Sequence, residues 1–299
     1  MALFKCKAKP ETKKEVTEKS NEKLMRRLII TAAIIALVVG AVAVARPSIL
    51  YAVAGHFEST GNTDAAYDIY VILDDYKESK DKAWNIKYTN EINALLACEI
   101  GDVVTFGTYE QDNVEKNGPE DIEWYVLDKQ EDRVFLLTKD LLDNQPYNTT
   151  KEATTWEKCS LRGWLNETFY AKAFHADEQA HIEETRVLAE KNPDFNTRPG
   201  KSTRDKLFLL SNSESLTYIT SRTVRSATTS EYAIANGGYR NLATGTGYWW
   251  LRTPGKTSEM AEYVYYHGYI EAPGNDVDKT FYGVRPAMWV NISVAEDAE

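Results

Sequence analysis

The chain has 299 residues, with 35 lysines and arginines against 45 aspartates and glutamates, so its formal net charge is −10. That length allows about two domains. Residues 1–27 carry nine basic and four acidic side chains, about +5, which leaves about −15 for the rest; nucleic acid is therefore excluded as a partner, because phosphate binding needs a basic surface.

A long apolar segment follows the basic tail. Residues 28–45, from Leu28 to Ala45, carry no charge, and ten of these eighteen residues are Leu, Ile or Val. As a helix they would extend about 27 Å, close to the ~30 Å hydrocarbon core of a bilayer. The segment therefore predicts a transmembrane helix that anchors the protein in the membrane, with a cytoplasmic N-terminus because the basic residues before it outnumber those just after it. A cleaved signal peptide is the alternative, since Ala43-Val44-Ala45 has the form of a cleavage site. In both cases the bulk of the chain lies outside the cytoplasm.

Residues 47–97 show a helical period. Apolar residues recur at steps of three and four, at Ala65, Ala66, Ile69, Tyr70, Leu73 and Tyr76 and again at Trp84, Tyr88, Ile92 and Leu95. This predicts a helical hairpin, with a break at Gly61-Asn62. The run Leu73-Asp74-Asp75-Tyr76-Lys77-Glu78-Ser79 resembles a degenerate tetratricopeptide-type repeat of extracytoplasmic bacterial proteins. Fewer than the roughly three repeats of a freestanding solenoid fit, so we interpret the segment as a stalk.

From Gly101 the period changes to that of strands. Strands are predicted at residues 103–107, 122–127 and 133–138, with an acidic turn at 128–132. Ser160 is predicted to cap a helix with an apolar stripe, and further helices are predicted at 177–187 and 213–216. A strand at 206–210, a surface loop at 192–204 and a hairpin around His267-Gly268 complete the pattern, followed by an acidic tail at 293–299. Helices inserted among many short strands predict an α+β domain.

Two late runs rich in aromatic residues are expected to organise this domain. They are Gly247-Tyr248-Trp249-Trp250-Leu251-Arg252-Thr253-Pro254 and Gly283-Val284-Arg285-Pro286-Ala287-Met288-Trp289-Val290. Each is predicted to be one strand bounded where a proline removes a hydrogen-bond donor. Adjacent Trp249 and Trp250 must point to opposite faces of a strand. One indole should therefore face a core, and the other a second layer or a ligand.

A resemblance to a family accompanies these motifs. Together with residues 104–109, Ile122-Glu123-Trp124, Leu161-Arg162-Gly163-Trp164-Leu165-Asn166 and Phe208-Leu209-Leu210-Ser211, the two runs resemble an uncharacterised bacterial extracytoplasmic domain family over about residues 101–292. That family is akin to C-type-lectin-like folds, which include the formylglycine-generating enzymes. The resemblance implies a lectin-like domain of short antiparallel strands whose late strands and loops form the ligand face.

Candidate ligand-binding residues lie on those late strands and loops. Arg252 and Arg285 either face a sugar or peptide beside an exposed indole or tie loops to the core through carbonyls and buried acids. Aromatic residues suited to stacking on a glycan are Trp249, Trp250, Tyr239, Tyr248, Tyr265, Tyr266 and Tyr269.

The sequence offers no catalytic constellation. No cysteine follows Cys159, which argues against formylglycine-generating activity, and His56, His175, His181 and His267 do not have the spacing of a metal triad. Paired carboxylates such as Glu183-Glu184 are expected to be solvated surface, so the protein is not expected to be an enzyme.

Cofactors and disulfides are not expected either. A calcium site could use Asn275, Asp276 and Asp278, but these supply at most three of the 6–8 ligands that calcium takes, and a solvated loop is the favoured interpretation. Cys98 and Cys159 either pair or, as we favour, are buried free thiols.

Three functions are compatible with this pattern. We expect a membrane-anchored extracytoplasmic binding protein that presents a lectin-like domain to a glycan, cell-wall or protein ligand. A scaffold component of an envelope assembly is the alternative, and an unrecognised hydrolase ranks lowest.

Overall fold

A computed structural model describes residues 47–293 of the protein. The predicted basic tail, the predicted transmembrane segment 28–45 and the acidic tail beyond residue 293 lie outside these residues. Between Pro47 and Ser293, no helix is both long enough and apolar enough to cross a bilayer. The chain divides into two compact units, the first ending at Thr89 and the second beginning at Asn90.

The first unit is helical, as residues 47–97 predicted. It contains α1 (Pro47–Ser59), α2 (Thr63–Leu73) and most of α3 (Ser79–Ala97). Pro47 occupies the first position of α1, where its missing N–H costs no helical hydrogen bond. Gly61 has a φ of 80°, which favours glycine, and so permits the reversal between α1 and α2. The hydrophobic core of this unit is formed by Leu50, Ala54, Ala66, Ile69, Tyr70, Ala83 and Ile86.

A polar contact ties these three helices together. The Tyr70 hydroxyl donates to a carboxylate oxygen of Glu58 at 2.8 Å, and Lys82 Nζ donates to the same oxygen at 2.8 Å. Because these residues lie on α2, α1 and α3 respectively, the carboxylate of Glu58 links all three.

The second unit contains short strands, among them those predicted at residues 103–107, 122–127 and 133–138. They are β1 (Val103–Tyr109), β2 (Glu120–Lys129), β3 (Arg133–Thr138), β4 (Asp143–Asn144), β5 (Thr185–Val187), β6 (Thr203–Asp205), β7 (Trp249–Pro254), β8 (Met260–Val264), β9 (Ile270–Asp276), β10 (Gly283–Val284) and β11 (Ala287–Asn291). One sheet has the order β1-β2-β3-β11, a second has the order β4-β10-β7-β8-β9, and β5 pairs with β6. All named pairs are antiparallel except β10 with β7.

Short helices are inserted between these strands, which confirms the mixed α+β class. They are α4 (Ser160–Trp164), a π-helical turn (Leu165–Phe169), α5 (Tyr170–Ala173), α6 (Ala176–His181), α7 (Asn212–Tyr218), α8 (Arg222–Arg225) and α9 (Glu231–Ala235). The apolar stripe predicted after Ser160 is present, because Leu161, Leu165 and Phe169 are all buried in the core of the second unit.

Two capping predictions need correction. Ser160 is the first helical residue of α4 and Cys159 occupies the N-cap, while the backbone N–H of Ser160 donates to Asn148 Oδ1 at 3.1 Å. The helix predicted from residue 213 begins at Asn212, and Ser211 caps it through a reciprocal capping box with Glu214. In the first case a residue distant in sequence takes over the role of a local cap.

The helix predicted over residues 177–187 is shorter than expected. It ends at His181, because Ile182 forms an antiparallel bridge with Val290 and the chain then enters β5. The strand predicted at residues 206–210 is also not a regular strand. Phe208 makes an isolated antiparallel bridge with Ala287, and its neighbours are buried without a continuous ladder. In both segments, contacts with β11 override the local pattern.

The run Gly283 to Val290, predicted as one strand, is two. Gly283-Val284 forms β10 in the five-stranded sheet, whereas β11 pairs with β3 in the four-stranded sheet. The break falls at Arg285-Pro286, where proline cannot donate to a ladder. Arg285 therefore lies where the chain passes from one sheet to the other.

Candidate functional site

Both tryptophans of the first aromatic run are buried. Trp249 and Trp250 have 0% exposure. Trp249 Nε1 donates to the carbonyl of Arg225 at 2.9 Å, and Trp250 Nε1 donates to the carbonyl of Gln145 at 3.0 Å. Their strand, β7, is central in its sheet, and every residue along it is buried. The indoles point to opposite faces as predicted for a strand, and of the two alternatives for the second indole, its burial favours a second layer over a ligand.

Arg285 has a structural role. Its guanidinium is fully buried and donates to the carbonyls of Thr138 at 2.8 Å and Val224 at 3.0 Å. It also lies 5.0 Å from the ring centroid of Trp249, within range of a cation–π contact. Burial lowers the pKa of Arg285 to about 10. Its donors are used up inside the protein, so it is not a ligand-facing arginine.

Arg252 is structural as well. It is buried, forms a bidentate pair with Glu214, and donates to the carbonyl of Leu209 at 2.8 Å. Of the two interpretations open for these arginines, the one in which they tie loops to the core is confirmed for both.

Four of the predicted tyrosines do come together. We call Tyr239, Tyr248, Tyr265 and Tyr266 the tyrosine cluster; all four are half-buried. The ring centroids of Tyr239 and Tyr248 lie 4.3 Å apart, those of Tyr265 and Tyr266 4.4 Å apart, and those of Tyr248 and Tyr265 5.1 Å apart. Burial, together with hydrogen bonds to Tyr239 and Tyr265, raises the pKa of Tyr248. The cluster combines three separate segments of chain into one aromatic surface.

An open cleft lies beside this cluster. Its volume is about 610 Å³, and its lining residues are Arg222, Thr223, Ser226, Thr246, His267 and Tyr269. The ring of His267 lies 4.0 Å from that of Tyr266, so the cleft and the tyrosine cluster are contiguous. Of the residues predicted to bind a ligand, Tyr269 lines the cleft and is 52% exposed.

The base of the cleft is held by hydrogen bonds to the β8–β9 turn. The carbonyl of Tyr266 accepts from Ser226 Oγ at 2.5 Å and from Thr246 Oγ1 at 2.9 Å. Gly268 has a φ of 78°, and a Cβ there would clash with the carbonyl oxygen of Arg222. Glycine is therefore required for the turn to approach α8 this closely.

Arg222 is held differently from the two structural arginines. Its guanidinium carbon lies 4.5 Å from the ring centroid of Tyr269, in a cation–π contact. Within residues 47–293 no carboxylate forms a salt bridge with it. Arg222 therefore lines the cleft without an acid partner in this part of the chain.

Sequence reasoning missed most of this cleft. Arg222, Thr223, Ser226 and Thr246 were not among the predicted site residues, and His267 was weighed only as a metal ligand. Arg222 and His267 are far apart in sequence, and the turn and α8 meet only in the folded chain. The available signal was a stretch with two arginines among serines and threonines, residues 221–230, in an otherwise acidic domain.

The predicted calcium ligands have other partners. Asp276 forms ion pairs with Lys151 at 3.1 Å and Lys279 at 3.7 Å, and Lys151 holds the pKa of Asp276 below its usual range. Asn275 Nδ2 donates to the Tyr282 hydroxyl at 2.7 Å. These contacts favour the solvated polar loop over a cation site.

A second group of acidic residues lies at the loop after β1. Glu110, Asp112 and Glu120 bring their carboxylate oxygens within 4.8 Å of one another. The Val114 N–H donates to Glu110 at 2.9 Å, and the Gln111 N–H donates to Glu120 at 2.7 Å. The carboxylates thus accept backbone hydrogen bonds from the loop after β1.

The cysteines and Glu262 lie away from the cleft. Cys98 and Cys159 are buried free thiols, as favoured, and burial raises the pKa of Cys159 to about 12. Glu262 on β8 is fully buried, accepts from Asn212 Nδ2 at 2.7 Å, and has a pKa raised to about 7, chiefly by burial. Because Glu262 does not line the cleft, its shifted pKa does not support a hydrolase.

Comparison with known protein families finds one family that matches most of the second unit. Residues 131–292 match DUF6273, a domain of unknown function, and this match covers more than half of the chain. The chain belongs to the DUF6273 family. The DUF6273 region runs from just before β3 to just after β11, and it includes the tyrosine cluster and every residue that lines the cleft.

The finer resemblances remain predictions. Membership of DUF6273 agrees with the expectation of an uncharacterised domain, but no lectin-like or tetratricopeptide family matches. No curated protein and no solved structure matches the chain.

Proposed function

We propose that this DUF6273 protein is a membrane-anchored extracytoplasmic binding protein whose cleft and tyrosine cluster receive a glycan, cell-wall or protein ligand. One observation carries the proposal: a cleft of about 610 Å³ adjoins a continuous surface of half-buried tyrosines. Ligand sites combine concave shape, aromatic walls and a few directed polar groups, and this region has all three.

The chemistry of the walls favours a glycan. Tyr266, His267 and Tyr269 offer ring faces on which the apolar face of a sugar can pack, while Thr223 and Arg222 offer polar groups at the same opening. The mixed sheets with inserted helices are compatible with the lectin-like domain that the sequence resembles, and in that resemblance late strands and loops form the ligand face.

The proposed membrane anchor is the uncharged segment 28–45. It ends at Ala45, two residues before Pro47, where α1 begins, so the helical unit would follow closely on the membrane span. Protease treatment of intact cells that carry a C-terminal tag tests this topology. Removal of the tag, with the protein in the membrane fraction, supports the proposal; a protected tag, or release of the protein without its first 45 residues, contradicts the anchored form.

Ligand binding is tested with the full-length protein, purified in detergent, on arrays of glycans and cell-wall fragments. Tyr269→Ala should abolish a signal that the wild type gives. Leu188→Ser is the matched control, because Leu188 is 51% exposed and lies outside the cleft. Equal loss of signal in both variants would contradict binding at the cleft.

A specific observation favours a second candidate function, that of a scaffold. In the first unit, Ile49 and Val53 on α1 and Val71 and Ile72 on α2 are all exposed. Tyr51 contacts Tyr70 and Tyr76, with ring centroids 5.7 and 6.0 Å away, so the start of α1 and the end of α2 lie at the same end of the helix pair. Exposed apolar groups of this kind mark protein contacts.

Site-specific photo-crosslinking in cells separates the scaffold from the binding protein. A crosslinker at position 71 should give one discrete envelope-protein adduct if the first unit is a docking surface. The control position is Glu115, an exposed loop residue of the second unit. Labelling of lipid alone, or the same adducts from both positions, would contradict the scaffold function.

A further inference from the structure

The cleft differs in charge from the domain that contains it. The chain carries a net charge of −10, yet none of the six residues that line the cleft is acidic. Arg222 is the cationic group of this lining, and His267 supplies two further ring nitrogens. This positively charged lining attracts anions, whereas the acidic surface of the rest of the protein repels them.

The partners of the arginines reinforce this contrast. Five arginines pair with carboxylates, and Arg225 and Arg285 donate to backbone carbonyls; the five are Arg133, Arg162, Arg204, Arg240 and Arg252. Arg222 does neither, as is also true of Arg186 and Arg198 among the described residues, but Arg222 lines the cleft and contacts the ring of Tyr269. A guanidinium stacked on a ring keeps its N–H edge free for a planar, two-point contact with a carboxylate or a phosphate.

Hydrogen bonds hold the turn that carries Tyr269, the residue whose ring contacts Arg222. The backbone N–H of Tyr265 donates to the carbonyl of Tyr269 at 2.7 Å, which closes the turn that carries the ring. Arg225 Nε donates to the carbonyl of Gly268 at 2.9 Å, which ties the same turn to α8. These two hydrogen bonds hold the backbone of the turn that carries Tyr269 against α8, which lowers the cost of ordering that turn when an anion binds.

We propose that the cleft recognises an acidic glycan, with Arg222 bound to a carboxylate or phosphate group and the rings of Tyr269 and Tyr266 packed against the sugar. The inference rests on the proposed glycan-binding function and adds the charge of the ligand to it. Neutral sugars lack the carboxylate or phosphate group that would bind the guanidinium of Arg222.

The test is isothermal titration calorimetry of the full-length protein with three probes. These are an oligomer of a hexuronic acid, the same oligomer with its carboxyl groups reduced to alcohols, and a glycerol phosphate oligomer. The wild type should bind at least one acidic probe at least roughly tenfold more tightly than the reduced oligomer, a difference of about 1.4 kcal/mol. The acidic probe that binds better identifies whether the natural group is a carboxylate or a phosphate.

Two variants assign the effect to the cleft. Arg222→Gln should reduce the preference for the acidic probe to less than about threefold, and Arg222→Lys should restore it only in part, because an ammonium cannot make the two-point contact. The control is Arg198→Gln, since Arg198 is exposed, lies outside the cleft and has no acid partner within residues 47–293. Circular dichroism checks that each variant is folded.

The outcomes separate this inference from the function on which it rests. Equal affinity for the acidic and reduced oligomers would overturn the recognition of acid and leave glycan binding in place. A similar loss in Arg222→Gln and Arg198→Gln would also overturn it, because it would show attraction by net charge alone. If no glycan of either kind binds, the glycan-binding function is wrong and the inference fails with it.

Discussion

Two aromatic regions of the second unit have opposite environments. Trp249 and Trp250 lie on the central strand of the five-stranded sheet, fully buried, with both indole N–H groups bonded to backbone carbonyls. Tyr266 and Tyr269 lie at the turn between β8 and β9, near the sheet edge, and are half-buried and exposed respectively. Position in the sheet therefore decides which rings can meet a ligand.

The arginines show the same division. Arg285 lies where the chain crosses between sheets, and its guanidinium is bound by carbonyls. Arg222 lies on a short helix at the surface and rests on Tyr269. A buried guanidinium stabilises the connection between layers, whereas an exposed one that rests on a ring remains available for binding.

The largest expected effect on stability comes from the replacement of Trp250. Trp250→Ala should lower the free energy of unfolding by about 3–5 kcal/mol, because it removes a large buried side chain and leaves a cavity. Its ring also stacks on Tyr282 at a centroid distance of 3.9 Å. Urea denaturation measures the change, and a loss below about 1 kcal/mol would contradict the burial of this indole.

Arg285→Met should have the next largest effect and lower the free energy of unfolding by about 3 kcal/mol. The change keeps a long apolar stem but leaves the carbonyls of Thr138 and Val224 without these donors in the core. The same denaturation experiment applies. Arg198→Gln, on an exposed arginine, is the control and should change stability little.

Glu262 gives the stability of the second unit a pH dependence. Its pKa rises from 4.5 to about 7, mainly by burial and further by Asp194 and Glu190, although the amide of Asn212 opposes the shift. Between these pH values the folded protein keeps a proton that the unfolded chain has released. The contribution of Glu262 to stability should thus be fully present below pH 4.5. As the pH rises from 4.5 to 7, the free energy of unfolding should fall by up to about 3 kcal/mol.

Glu262→Gln isolates that contribution. The variant should lack this slope between pH 4.5 and 7 and should be more stable than the wild type at pH 7 and above, since the amide carries no charge to bury. Thermal unfolding at a series of pH values measures both curves. Parallel curves for the variant and the wild type would show that Glu262 is not the group responsible.

The smallest expected effect on stability is at the cleft. Tyr269→Ala should change the free energy of unfolding by no more than about 0.5 kcal/mol, because the ring is 52% exposed. Thermal denaturation of the variant beside Trp250→Ala measures the contrast directly. Similar losses in the two variants would remove the distinction between core and ligand-facing aromatics.

Local patterns predicted the elements better than the site. The β2–β3 hairpin follows from two strand-period runs and an acidic turn, all of which are local, and the structure contains it at residues 120–138. The helix expected to reach Val187 stopped at His181 because Ile182 pairs with Val290, which no local window contains.

The cleft was beyond such reasoning for the same reason. Its walls come from α8, from Thr246 before β7 and from the β8–β9 turn, so their proximity depends on the fold. The tyrosines were selected by residue type and by their place on the late strands and loops, and these criteria equally selected Trp249, Trp250, Arg252 and Arg285. Only burial separates the two sets, and burial is a property of the folded chain.

The central claim is that ligand binding belongs to the exposed cleft and not to the buried tryptophan strand. The most direct test is calorimetric titration of Tyr269→Ala with whichever glycan the wild type binds on the array, under conditions where circular dichroism shows the variant folded. We predict at least a tenfold loss of affinity. Unchanged affinity in that folded variant would contradict the claim.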